Sequence, residues 1–222
     1  MSGLNSGEGT FRAAVIHNNK QLLEELDKDF NRIMAITLMR KDPEFENIAK
    51  RIRNFYFANK QIGENTILDL VDLYSDIFII PPAHHAVEYH LKYSKQPVYY
   101  YLFSHAIQYS LTNFYGVPLF RYGTGHADEL ILLFPVYGTK SLDQEDLRYS
   151  KLLIGMWTNF AKYGNPTLET DSLVTVKWEP VTTSALEYCH IGGGVHTSRN
   201  LYSERIEFWK AINNETKLNI CE

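Results

Sequence analysis

The sequence predicts an α/β fold, and two observations lead to that prediction. Residues 98–103 read Val-Tyr-Tyr-Tyr-Leu-Phe, an unbroken β-branched and aromatic run that is typical of a strand covered on both faces, as in a parallel sheet. Long segments on either side repeat apolar residues at helical spacing. Helices around a buried parallel strand form an α/β arrangement. Because a parallel strand needs neighbours and the chain offers only one or two, we expect an incomplete sheet within these 222 residues.

The segments before the strand are expected to be helical, with breaks between them. Residues 1–10 are the exception, because their glycines, Asn and Ser favour tight turns and predict a loop. Apolar spacing and breaker residues then predict helices over 19–39, from Asp42-Pro43 to residue 56, over 66–76, and from Pro81-Pro82 towards Tyr93.

After the strand, residues 104–125 show no period and predict a loop. Residues 142–163 form an amphipathic pattern that ends at Gly164, a residue suited to closing a helix, with Pro166 as a stop just beyond it. A short strand is predicted over 186–191 and a last helix over 201–212. The chain contains no repeat and no low-complexity linker, so we expect one structural unit.

Composition argues against several classes of protein. The 45% hydrophobic and 14% aromatic content is that of a globular chain rather than a disordered one. A formal net charge of −4 gives no electrostatic reason to expect a nucleic-acid partner. No run of about 18 apolar residues is present, so no membrane span is expected, and the first ten residues do not have the pattern of a signal peptide. Cys189 and Cys221 could form one bridge or remain two free thiols.

Two glycine-rich loops contain the candidate chemistry. Residues 3–9, Gly-Leu-Asn-Ser-Gly-Glu-Gly, place the Glu8 carboxylate between glycines, and residues 123–130, Gly-Thr-Gly-His-Ala-Asp-Glu-Leu, place His126 beyond the end of the buried strand. A histidine in such a loop suits a general base, because its pKa lies near working pH and the strand anchors the loop. A carboxylate from another loop can accept the Nδ1–H and orient the ring. No Gly-x-Ser-x-Gly occurs, so a nucleophile is missing from the pattern.

Both loops resemble those of type-B carboxylesterases, the cholinesterase-like α/β-hydrolases, and the His-Ala-Asp-Glu of the second loop has the form found in insect esterases. Residues 3–9 are similar to the family's acid loop, and residues 125–130 with Leu133-Phe134 are similar to its histidine loop. Further segments match in the expected order: residues 97–103 as the strand before the histidine loop, residues 156–167 as the C-terminal signature, Trp178-Glu179-Pro180, and Arg205-x-x-Phe208-Trp209.

The resemblance implies that Glu8 is the triad acid and His126 the triad base. It also implies that residues 1–222 are the C-terminal portion, about two-fifths, of one carboxylesterase domain with an α/β-hydrolase fold. The portion with the nucleophile and the oxyanion loop is then absent. Glu129 matches a buried carboxylate that supports the histidine in some relatives, and a glutamate that merely starts a helix is the alternative. Tyr109, Phe114 and Tyr115 are candidates to line an acyl or alcohol pocket.

Other motifs predict less. The pattern His84-His85-x-x-Glu88-x-His90 lacks the His-Glu-x-x-His order, so it is interpreted as an ordinary helix and no metal site is predicted. Gly192-Gly193-Gly194 lacks the Lys-Ser/Thr of a phosphate loop and is interpreted as a turn. No cofactor is implied. Asn214 begins an Asn-Glu-Thr sequon, which matters only in a secreted protein, and the family is often secreted.

The leading functional interpretation is therefore part of a serine carboxylic ester hydrolase acting on a small-molecule ester in its full-length form. The alternative is a non-catalytic, cholinesterase-like adhesion or binding protein, because such proteins keep the fold and lose parts of the triad. The ester substrate and the oligomeric state are left open by the sequence.

The 222 residues alone are expected to be inactive, because they contain neither a nucleophile elbow nor oxyanion donors, which supply most of the rate enhancement. The purified chain should show no His126-dependent hydrolysis of a short-chain nitrophenyl ester. Robust turnover that His126→Ala abolishes would contradict this expectation.

Overall fold

The computed structural model describes residues 1–41, 44–58, 60–135, 141–183 and 186–216. The chain divides into two compact units. The first contains residues 1–6, 82–111 and 123–203, and the second contains residues 7–81, 112–122 and 204 onward. The predicted helix start at Asp42-Pro43 lies outside the described residues.

A four-stranded mixed sheet forms the centre of the first unit, in the order β1 (Ser2–Asn5), β2 (Tyr100–Phe103), β3 (Glu187–Ile191) and β4 (Val195–Arg199). Strands β1 and β3 flank β2 on either side and both run parallel to it, whereas β4 pairs antiparallel with β3. All four residues of β2 are buried. The prediction of a buried strand in a parallel sheet is thus confirmed, as is the α/β class.

Strand β1 corrects the prediction that residues 1–10 form a loop. Its register with β2 pairs Ser2 with Tyr100 and Asn5 with Phe103. The sequence predicts a turn at Gly3, but a Cβ atom there would lie 2.0 Å from the ring of Tyr101. The glycine is therefore needed to let an aromatic side chain lie across the strand, which is one of the uses of glycine inside a sheet.

Helices α7 (Glu129–Leu133) and α8 (Gln144–Tyr163) belong to the first unit. Asp143 caps α8 by accepting the Asp146 N–H at 2.8 Å, and Gly164 ends it at φ 69°, as its sequence pattern predicts. Strand β3 confirms the prediction over 186–191, but β4 was not predicted. The core of this unit joins one face of the sheet to α8 and includes Tyr99, Tyr101, Phe103, Leu152, Leu153, Met156, Trp178 and Ile191. Tyr99 and Tyr101 are thus packing residues.

The remaining helices are α1 (Thr10–His17), α2 (Lys20–Lys28), α3 (Phe30–Thr37), α4 (Phe45–Phe57), α5 (Ile67–Phe78), α6 (Ile80–Tyr93) and α9 (Ser203–Thr216). The helical block predicted over 19–39 consists of two helices, α2 and α3, because the backbone leaves helical geometry at Asp29, with φ −125°. Helix α1 was not predicted.

Pro81 and Pro82 lie in the first turn of α6, where a missing N–H breaks no helical hydrogen bond. In the described ranges, no helix combines the length and apolar character needed to cross a bilayer.

A buried ionic network joins three helices of the second unit. The guanidinium of Arg205 on α9 donates to both carboxylate oxygens of Asp76 on α5, at 2.6 and 2.7 Å, and to Asp72 at 2.8 Å. Tyr56 on α4 donates its hydroxyl proton to Asp76 and accepts the indole N–H of Trp209 at 2.7 Å. The side chain of Asp76 is fully buried, so its charge depends on these partners.

Loss of Arg205 should therefore destabilise the fold strongly. Arg205→Ala leaves the buried carboxylate of Asp76 without its cation, and we expect the free energy of unfolding to fall by about 3–5 kcal/mol. Arg205→Lys should retain only part of the lost free energy of unfolding, because an ammonium group cannot bind both oxygens of Asp76 in the same planar geometry. Urea unfolding followed by circular dichroism measures the change.

The matched control is Arg51→Ala, because Arg51 on α4 pairs with Glu215 on α9 at the surface, where both side chains are about half exposed. This variant should lose less than about 1 kcal/mol. Equal losses for the two arginines would show that the buried network has no special role.

Candidate active site

His126 lies in the loop between β2 and α7, in the first unit, and its side chain is exposed. The backbone around it is unusual: Gly123 has φ 94°, and Ala127, which directly follows the histidine, has φ 66°. A non-glycine residue in the left-handed region costs free energy and persists only when its surroundings hold it there. The side chains around this loop must therefore hold it in place.

The side chain of Asn5, at the end of β1, holds the loop at Gly125. Asn5 is 1% exposed, and its amide group donates to the carbonyl oxygen of Gly125 at 2.8 Å and to the carboxylate of Glu129. Glu129 is half buried and is the first residue of α7. It therefore contributes to the anchoring of the residue that precedes His126.

Asp128 holds the loop from the other side. Its carboxylate is 1% exposed and accepts the N–H of Gly125 at 2.7 Å and the N–H of Leu111 at 2.8 Å. A buried carboxylate needs such donors, because an uncompensated charge away from water is costly. One side chain thus links the residue before His126 to the segment that follows β2.

Thr124 and His105 complete the support. The Thr124 hydroxyl donates to the His105 carbonyl at 2.9 Å, and the Thr124 N–H donates to the Ser6 hydroxyl at 3.3 Å. The ring of His105 stacks on Tyr149 at 3.9 Å, and its Nε2 lies 2.7 Å from a carboxylate oxygen of Asp146. The position of the histidine loop therefore depends on the ends of both β1 and β2 and on α8.

Glu8 lies in the second unit, in the turn before α1, and is 4% exposed. The turn is fixed by the next residue, because the Gly9 N–H donates to the Ser75 hydroxyl at 2.7 Å. A Cβ atom on Gly9 would lie 2.2 Å from the carbonyl oxygen of Val71, so only glycine fits against the backbone of α5. The pairing of Glu8 with His126 stays a prediction.

The other predicted residues are distributed over both units. Tyr109 is half buried in the first unit, whereas Phe114, 60% exposed, and Tyr115, half buried, belong to the second. Their role as pocket residues stays a prediction. Asn214 is exposed on α9, so its side chain is accessible, and its glycosylation also stays a prediction.

The two cysteines and the histidine-rich pattern on α6 were also singled out by the sequence. Cys189 on β3 is buried, which raises the pKa of its thiol to about 12, and Cys221 lies outside the described residues. His84 is buried, with its Nε2 3.5 Å from a carboxylate oxygen of Glu88. Among the residues that the structure describes, no group of three or more His, Cys, Asp or Glu side chains could hold a metal ion.

Sequence reasoning missed the supporting residues Asn5, Ser6, Thr124 and Asp128. All four lie inside the two motifs that the sequence singled out, so proximity to Glu8 and His126 was the available signal. Their hydrogen bonds join positions up to 124 residues apart in the chain, and no local pattern reveals such pairing.

Comparison with known proteins decides the family. The family model described as "Carboxylesterase family" matches residues 1–209. The chain belongs to the carboxylesterase family. Among its relatives, juvenile hormone esterase of Tribolium castaneum is 27% identical over 94% of this chain, and a carboxylic ester hydrolase of Bombus ignitus is 26% identical over 99%. Human neuroligin-2 is 25% identical over 93% of the chain.

A solved structure shows the fold. The crystal structure of juvenile hormone esterase from Manduca sexta, with OTFP covalently attached, aligns with 96% of this chain at a TM-score of 0.73 and 21% identity. The chain therefore has part of an α/β-hydrolase fold, as predicted. It spans 40% of the length of that structure and 40% of the length of each of the two insect relatives.

The hydrogen bonds of Asp128 should control the order of the histidine loop in this carboxylesterase-family chain. Asp128→Asn keeps the shape but turns an NH2 group towards one of the two N–H donors. We expect backbone amide exchange at Gly125 and Leu111 to accelerate by about 10- to 100-fold, because a hydrogen bond to a charged group contributes roughly 1.5–3 kcal/mol. Native-state hydrogen exchange measures the rates.

Asp171→Asn is the matched control, because the Asp171 carboxylate also accepts two backbone N–H groups, those of Leu173 and Val174, both at 2.7 Å, in an exposed segment. Its effect should stay near residues 171–174. Unchanged exchange at Gly125 in Asp128→Asn would mean that other contacts hold the loop.

Proposed function

We propose that this chain supplies the acid and the base of a serine carboxylic ester hydrolase. The observation that supports it most directly is the exposed His126 on a loop with a left-handed residue beside it, held by buried side chains, in a chain of the carboxylesterase family. A strained and well-anchored loop around an exposed histidine is typical of a catalytic position. No Gly-x-Ser-x-Gly occurs in the 222 residues, so the proposal assigns the nucleophile to a part of the protein outside them.

In the proposed reaction, His126 takes the proton of the attacking serine and passes it to the leaving alcohol. Water then attacks the acyl-enzyme, with the same imidazole as the base. Glu8 accepts the other ring N–H, selects the tautomer and stabilises the imidazolium cation. Its burial suits this role, because a carboxylate that is shielded from water interacts more strongly with the developing positive charge.

Glu129 and Asn5 are proposed to act through position. Their contact fixes the carbonyl oxygen of Gly125, and therefore the direction in which the following residue, His126, leaves the loop. This interpretation gives Glu129 a supporting role in addition to its place at the start of α7. The substrate of the whole protein is proposed only at the level of a carboxylic ester, in keeping with the names of the insect relatives.

A non-catalytic adhesion or binding protein of the same family is the second candidate. The match to human neuroligin-2 over 93% of the chain favours it. Retention of both Glu8 and His126 favours the enzyme, because a binding protein has no requirement for either side chain.

A chimera tests the proposal. The part of Tribolium castaneum juvenile hormone esterase that precedes the matched region is joined to residues 1–222. We expect this protein to hydrolyse a short-chain nitrophenyl ester. His126→Ala should lower kcat by about 10⁶-fold and Glu8→Gln by about 10⁴-fold, as in other triads.

The double variant should be no slower than His126→Ala, because residues that act as one unit have non-additive effects. The matched control is His85→Ala, which removes an exposed histidine on α6 and should leave kcat unchanged. A folded chimera without turnover, or with turnover insensitive to His126→Ala, would favour the binding protein.

A further inference from the structure

A second histidine cluster lies on the β3–β4 hairpin of the first unit. His190 and His196 face each other directly across the antiparallel pair. Nδ1 of His190 is 3.0 Å from Nε2 of His196, and the ring centroids are 4.6 Å apart. His196 is exposed and His190 is half buried, so solvent reaches the pair. The proposed ester hydrolysis makes no use of either residue.

Ser104 fixes the orientation of His190 from behind. Its hydroxyl oxygen is 2.6 Å from Nε2 of His190, and its N–H donates to the Ile191 carbonyl at 2.9 Å, which ties it to the same strand. When Nε2–H donates to Ser104, the lone pair of Nδ1 points to the His196 ring. This is how metal-binding histidines are commonly oriented, with one nitrogen held by a protein acceptor and the other available to the ion.

A serine beside a histidine also suggests a nucleophile, but the packing argues against that role. A Cβ atom on Gly192 would lie 2.1 Å from the Ser104 hydroxyl oxygen and 2.9 Å from its carbonyl carbon. The backbone of the hairpin at Gly192 thus lies directly against one side of the Ser104 side chain. Ser104 is a hydrogen-bonding support for His190.

The two nitrogens are joined by an N–H···N hydrogen bond, and their separation is also within the range of two ligands of one ion. Imidazole nitrogens bind first-row metals at about 2.0–2.1 Å, so two of them at a right angle around one ion stand about 2.9 Å apart, and about 3.3 Å apart in a tetrahedron. The observed 3.0 Å lies between these two values. His196, being exposed, can turn its ring to direct both lone pairs at one ion.

The protonation state of the pair suits a cation as well. Partial burial, together with the neighbouring His196, lowers the pKa of His190. A neutral imidazole has a lone pair that can bind a cation. When an ion binds, the proton in the contact between the two rings is released and both nitrogens become ligands.

We propose that His190 and His196 form a two-histidine site for a divalent first-row transition metal, with Cu²⁺ bound most tightly. Water fills the remaining positions. Because imidazole is a borderline ligand and the affinity of such sites rises to Cu²⁺ along the series, the site should prefer Cu²⁺ to Ni²⁺ and Zn²⁺ and should ignore Ca²⁺, which needs oxygen ligands.

The test is titration of the purified chain with CuCl₂, followed by calorimetry and by electron paramagnetic resonance. We expect one saturable site per chain and a tetragonal Cu²⁺ spectrum with nitrogen ligands. His196→Gln and His190→Gln should each abolish that site, and Ser104→Ala should weaken it by about 10- to 100-fold, as loss of a supporting partner does.

The matched control is His85→Gln, which removes an exposed histidine of α6 that lies outside the hairpin. It should leave the titration unchanged, and CaCl₂ should give no heat of binding. His196 is exposed, so its replacement should leave the circular dichroism spectrum and the melting temperature without metal unaltered. Absence of a saturable site, or equal Cu²⁺ binding in His196→Gln, would overturn the proposal.

Discussion

The parallel pairing of β2 with β1 and with β3 is the constraint on which the first unit depends. Asn5 pairs with Phe103, and Phe103 pairs with Ile191, so three chain segments that are distant in sequence end at one edge of the sheet. Side chains at that edge, Asn5 and Asp128 among them, hold the loop of His126. A shift of one residue in the register of β1 with β2 would turn the side chains of β1 to the opposite face and remove the support of Asn5.

Burial of polar groups at this edge has a free-energy cost, and the hydrogen bonds offset it. Asn5, Thr124 and Asp128 are each about 1% exposed, and each donates to or accepts from a backbone group of the surrounding loops. Low dielectric makes each satisfied hydrogen bond stronger and each unsatisfied polar group more costly. The Arg205 network has the same character in the second unit, where it joins α4, α5 and α9.

The relatives of this chain include both insect esterases and neuroligin-2. Function within this family is therefore decided by particular sites rather than by the shared fold. The features that favour an enzyme are local: an exposed histidine beside a left-handed alanine, and a buried glutamate in a turn where only glycine can follow. The hairpin pair of His190 and His196 is a separate chemical feature of the same sheet, and nothing in the proposed hydrolysis requires it.

The sequence by itself determined the family, the two candidate catalytic residues, the buried strand and most helices, because each is written in local spacing or in contiguous motifs. Residues 98–103 are apolar without interruption, and Gly164 ends α8 where its pattern stops. Only the tertiary structure decided that residues 2–5 form a strand, that Asn5 and Asp128 hold the loop of His126, and that His190 faces His196. Strand pairing and buried hydrogen bonds join residues far apart in the chain, and their free energy depends on partners that no local pattern contains.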